Sequence, residues 1–135
     1  MTAEQLGEVR RLKAQLEDAE AELDYLRGLT SRLKNMPRSL KVHSRVEELA
    51  IKRVDGEKIL AKLREALDEA HDELTEKILS APLSNLARQI LLLRYVDCLS
   101  FRKIARVTNY SLTSIFRIHD EILERLKHPE TPWNA

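Results

Sequence analysis

Residues Leu99–Leu126 read LSFRKIARVTNYSLTSIFRIHDEILERL, and this stretch decides the fold. Ser100 and Ser111 are both N-cap residue types, and each stands just before an apolar-periodic run. The first run holds Phe101, Ile104 and Ala105. The second holds Ile115, Ile118, Ile122 and Leu126, a spacing that puts four apolar side chains on one helical stripe. Between them lies Thr108-Asn109-Tyr110. Asn109 is the residue expected to take a positive φ, since asparagine tolerates the left-handed region best after glycine. Ala105 supplies a small residue where two steeply crossed helices meet, and Ile115 packs the second helix against the first.

Two short helices joined this way form a helix-turn-helix, a unit that presents its second helix to the DNA major groove. On the second helix the face opposite the isoleucines carries Thr113, Arg117, Asp120 and Glu124. The N-terminal residues of a recognition helix reach base edges. Thr113 and Arg117, flanked by Ser114 and Phe116, are therefore the candidate base readers. Arginine pairs with guanine, and an aromatic ring can touch a thymine methyl. Arg102 and Arg106, four residues apart on the first helix, with Lys103 beside them, suit phosphate contacts.

These residues also carry a family resemblance. Leu91-Leu92-Leu93-Arg94-Tyr95, Leu99–Ala105 and Ser111–Ile115 resemble region 4 of bacterial sigma-70-type factors, over about residues 83–127. The continuation through His119 and Ile122-Leu123, behind long charged helices, resembles phage and prophage transcriptional regulators of the RinA and ArpU type. The resemblance implies promoter DNA as a partner and host RNA polymerase as a further one. Asn109 stands where the family has glycine, Thr108 where it has an apolar residue, and Lys103 where an acid would complete a capping box.

Working outward, residues 83–97, LSNLARQILLLRYVD, read as a packing helix with Leu86, Ile90, Leu93 and Asp97 on one stripe, widened by Leu91, Leu92 and Val96, and with Tyr95 in the core and its hydroxyl at the rim. Cys98, the only cysteine, reads as a buried spacer. Upstream, residues 4–34 repeat every seven: Val9, Leu16, Leu23 and Thr30 in one register, Leu12, Ala19, Leu26 and Leu33 in the other. This predicts a coiled-coil helix of about 45 Å. Asn35-Met36-Pro37 ends it. A second long helix is predicted from Ser44 to Leu79, with Val46, Leu60, Leu67 and Leu74 in one register and Leu49, Leu63 and Ala70 in the other. Arg53 and Gly56 interrupt the pattern, and Gly56 is expected as a weak point or bend, not a break. An antiparallel hairpin, with residue 20 facing about residue 58, matches opposite charges along both arms. A thin two-helix core of this kind calls for a third partner, either another copy or a helix from the C-terminal domain. The bend is basic: Arg27, Arg32, Lys34, Arg38, Lys41 and Arg45 occur with no acid between Asp24 and Glu47.

The expected architecture is all-α: a long antiparallel coiled-coil hairpin over 1–80, a helix-turn-helix domain over 81–128, and a tail over 129–135 that contains Trp133. Residues 1–80 hold 15 Lys+Arg and 17 Asp+Glu; residues 81–135 hold 8 and 5. The positive half is thus the one with the DNA motif. No Gly-rich phosphate loop or nucleophile–base set is present, and His43, His71, His119 and His128 are scattered. No enzyme activity, cofactor or metal site is expected. No membrane-spanning run and no signal-peptide pattern occurs, so a cytoplasmic protein is expected. Three functions are compatible. The leading one is a phage or prophage transcription regulator that binds double-stranded DNA as a homo-oligomer. The others are a phage small terminase subunit, and a protein-only adaptor or anti-sigma factor.

Overall fold

The computed structural model describes residues 1–35 and 43–128. The described residues contain helices and no strand. They are α1 (Ala3–Leu6), α2 (Glu8–Lys34), α3 (His43–Ser80), α4 (Asn85–Leu91), a π-helical turn (Leu92–Val96), α5 (Phe101–Thr108) and α6 (Leu112–Lys127). The expected bend around Pro37 and the tail with Trp133 lie outside the described residues, as do Arg38 and Lys41.

The first predicted helix is interrupted at its start. Thr2 and Gln5 form a reciprocal capping box around α1, and Gly7 closes it before α2 begins. Along α2 the heptad positions Val9, Leu12, Leu16, Ala19, Leu23 and Leu26 are all buried or half-buried, while most of their neighbours are exposed. On α3 the heptad line continues through Arg53 and Gly56, both half-buried. Gly56 does not break the helix, as expected: α3 is continuous from His43 to Ser80. A Cβ at Gly56 would meet Leu23 Cδ1 at 3.4 Å, so Leu23 packs directly over the glycine.

The chain divides into two compact units. One is residues Leu12–Leu67; the other joins Met1–Arg11 to the chain from Asp68 onward. In the first unit α2 and the adjoining part of α3 run side by side in opposite directions. Arg27 pairs with Glu57 at 3.7 Å and Glu20 with Arg64 at 3.5 Å. Leu23 lies against Gly56, a backbone-level contact that places residue 20 near residue 59, next to the expected 58. The long Arg27 and Arg64 side chains reach along the pair to their carboxylates.

In the second unit the buried side chains include Leu6, Val9, Leu74, Ile78, Ala87, Ile90, Leu91, Ile104, Ile115 and Ile122. Ser84 caps α4 by accepting from Ala87 N at 3.2 Å. The expected stripe Leu86/Ile90/Leu93/Asp97 is corrected. Ala87, Ile90, Leu91 and Val96 are buried, Leu86 and Leu93 are half-buried, and Asp97 is exposed. The π turn, marked by Asp97 N donating to Leu92 O at 3.0 Å, adds a residue to the turn and shifts the face that follows.

Candidate nucleic-acid interface

Ser100 accepts from Lys103 N at 3.2 Å and opens α5; Ser111 accepts from Ser114 N at 3.1 Å and opens α6. Between them Asn109 has φ 60° and ψ 29°, the left-handed conformation, and its N–H reaches back to Ala105 O. A carboxamide residue serves there because its side chain tolerates αL where β-branched ones do not. Cys98 also has a positive φ, 57°, and is half-buried, so it is the residue that closes the π turn and not a buried spacer. Nothing in the sequence marked it, because cysteine is an uncommon choice in that region.

The two helices pack through Ile104, Ala105 and Ile115, which are buried, and through Phe101 against Phe116, ring centroids 4.9 Å apart. The buried line of α6 is Ile115, His119 and Ile122; Ile118, expected inside, is only half-buried. His119, four residues after Ile115 and three before Ile122, flanks the Ile115–Ile122 line on the side opposite Ile118. Its Nε2 lies 2.6 Å from the Tyr95 hydroxyl, and its ring meets Phe101 edge-on with centroids 4.9 Å apart. Burial lowers the His119 pKa below its ordinary value; Asp120 opposes this and the Arg94 charge adds to it. Burial likewise raises the Tyr95 pKa. Both groups are held neutral, and the hydroxyl and Nε2 share one hydrogen bond. Arg94 lies over the Phe101 ring, 4.1 Å from its centroid, and donates to Leu99 O at 3.0 Å. It braces the entry to α5, a role the sequence did not announce.

Of the proposed contact residues, Arg102, Lys103 and Arg106 are exposed on α5, and Thr113 and Arg117 are exposed on α6. Ser114 is half-buried, and its hydroxyl accepts from Ser111 Oγ at 2.8 Å, so it serves the cap. Phe116 is held against Phe101 yet remains 44% exposed. Val107 and Tyr110, 50% and 46% exposed, flank the turn and belong to the same surface. Between Asp97 and Asp120 the chain has no acid. Among the described residues none of Arg102, Lys103, Arg106 and Arg117 is engaged in an ion pair, whereas Lys77 and Lys127 pair within their own helices. No group of side chains suited to a metal ion occurs among the described residues, and no described helix is long and apolar enough to cross a membrane. No protein-family model, curated protein or solved structure matches the chain.

Proposed function

We propose that α5 and α6 act as a sigma region 4-like helix-turn-helix, and that the chain is a sequence-specific DNA-binding transcription regulator of phage or prophage type. The observation that carries this reading is the run of cations without an acid from α5 through the first two turns of α6, between Asp97 and Asp120. Four exposed, unneutralised cations lie on α5 and the first two turns of α6, around a turn closed by Asn109. Phosphate binding needs such cations, and it releases counterions from the duplex. The first turns of α6 would enter the major groove, with Arg117 and Thr113 at base edges and Phe116 against an apolar base surface. Ser114 would act by fixing the cap. α5 would cross the backbone, with Arg102, Lys103 and Arg106 on phosphates. Asp120 and Glu124, further along α6, would lie where the helix leaves the groove. The long helices would serve self-association or contact with host RNA polymerase, as a cytoplasmic coiled-coil hairpin.

The test is selection of duplexes from a random library by the full chain, followed by sequencing. Enrichment of a defined motif supports the reading. Recovery indistinguishable from the input library refutes it and favours a protein-only adaptor.

A further inference from the structure

The unit formed by residues 12–67 is thinly packed. Its buried apolar side chains are Leu23, Leu49 and Leu60 alone among the described residues. Leu26 and Leu29 on α2 stay half-buried, and Ile59 on α3 is 54% exposed. With Ala19 and Leu49 they line a groove of about 490 Å³ along one side of the helix pair. Two helices cannot enclose apolar stripes this wide; four helices in a bundle can.

The rim of the groove says what covers it. Arg45 and Lys52 lie toward the end where α2 stops and α3 begins; Asp55 and Glu22 lie further along. The order follows from the ion pairs Arg27–Glu57 and Glu20–Arg64, which place Glu22 beyond Asp55. Arg45 and Asp55 are separated by ~15 Å of helix. Two copies laid groove to groove about a two-fold axis, running oppositely, set Lys52 against Asp55 and Arg45 against Glu22. The symmetry repeats each match. Copies laid in parallel would set like charges together.

We propose that this groove is the self-association face of the chain, occupied by the same groove of a second copy in an antiparallel four-helix bundle. The proposal deepens the self-association part of the reading above and is independent of whether α6 reads DNA. The four rim charges are exposed, so exchanging them leaves the fold in place.

The test is light scattering on the full chain after size-exclusion chromatography, with helicity checked by circular dichroism. Wild type is expected at twice 15.6 kDa. Arg45→Glu/Lys52→Glu alone and Glu22→Lys/Asp55→Lys alone are expected to be helical monomers. Mixed in equal amounts, they are expected to recover the dimer mass. Carbodiimide treatment of a mixture of isotopically light and heavy wild-type chains is expected to join Lys52 of one copy to Asp55 of the other. A monomeric wild type, or double variants that keep the wild-type mass, overturns the proposal. A dimer without the Lys52–Asp55 link overturns its antiparallel register. The duplex selection described above is read separately, so loss of DNA binding with an intact dimer counts against the DNA reading alone.

Discussion

The Tyr95 hydroxyl lies 2.6 Å from Nε2 of His119, which joins the π turn to the buried face of α6. The same α6 exposes Arg117 on its other side. The hydrogen bond thus fixes the rotation of α6, and with it which residues face outward.

Tyr95→Phe removes the hydroxyl and leaves a buried imidazole nitrogen without its partner. A loss of about 1–3 kcal/mol is expected, the cost of stranding a buried polar group. Urea unfolding followed by circular dichroism measures it. A variant as stable as wild type would mean that the contact does not hold the helix.

Stability should also depend on pH through His119. Its folded pKa lies below the ordinary value of 6.5, so the unfolded chain takes up the proton first. The stabilisation is therefore complete above pH 6.5 and is lost as pH falls from there toward the lowered folded value. His119→Gln keeps an acceptor for Tyr95 but does not titrate. Thermal melts from neutral to mildly acid pH should fall less steeply for this variant than for wild type. Equal slopes would contradict the buried neutral histidine.

The turn gives a third expectation. Asn109→Gly should be neutral or slightly stabilising, because glycine takes φ 60° without strain. Asn109→Val should destabilise, since a β-branched residue is a steric outlier there. Thermal melts in which Val equals Asn would be inconsistent with a left-handed residue at this position.

Gly56 gives a fourth. It lies inside a continuous helix, and an added Cβ would touch only Leu23 Cδ1, at 3.4 Å. Gly56→Ala should gain up to about 1 kcal/mol from helix propensity. A destabilised variant would show instead that Leu23 cannot yield.

Much of this was legible in the sequence for local reasons. Ser100, Asn109 and Ser111 act through their own backbone neighbourhoods, so residue type and position sufficed. The seven-residue repeat in α2 and α3 likewise follows from burial on one helical face. Features that depend on distant partners were not legible. The π turn at Leu92–Val96 changes the face of its helix without any proline or glycine to mark it. His119 looked polar, and so was left off a stripe on which it falls by spacing; only Tyr95, 24 residues away, explains its burial. The close approach of Leu23 to Gly56 across the helix pair is a further contact between residues far apart in sequence. Among the interface residues, Arg102, Arg106, Thr113 and Arg117 are exposed, whereas Ser114 and Phe116 are partly committed to the cap and to Phe101.

The most direct measurement is a salt titration of DNA binding by wild type, Arg117→Ala and Arg106→Ala on a selected duplex and a scrambled one. Arg117 lies on the exposed face of α6 within its first two turns, and Arg106 on the exposed face of α5. The expected result is that the two arginines fail differently. Arg117→Ala should lose about 1–3 kcal/mol on the selected site and little on scrambled DNA. Arg106→Ala should weaken binding to both duplexes alike and reduce the salt slope by about one unit. Three proteins with the same affinities and the same salt slopes on both duplexes would contradict a DNA-reading surface on α5 and α6.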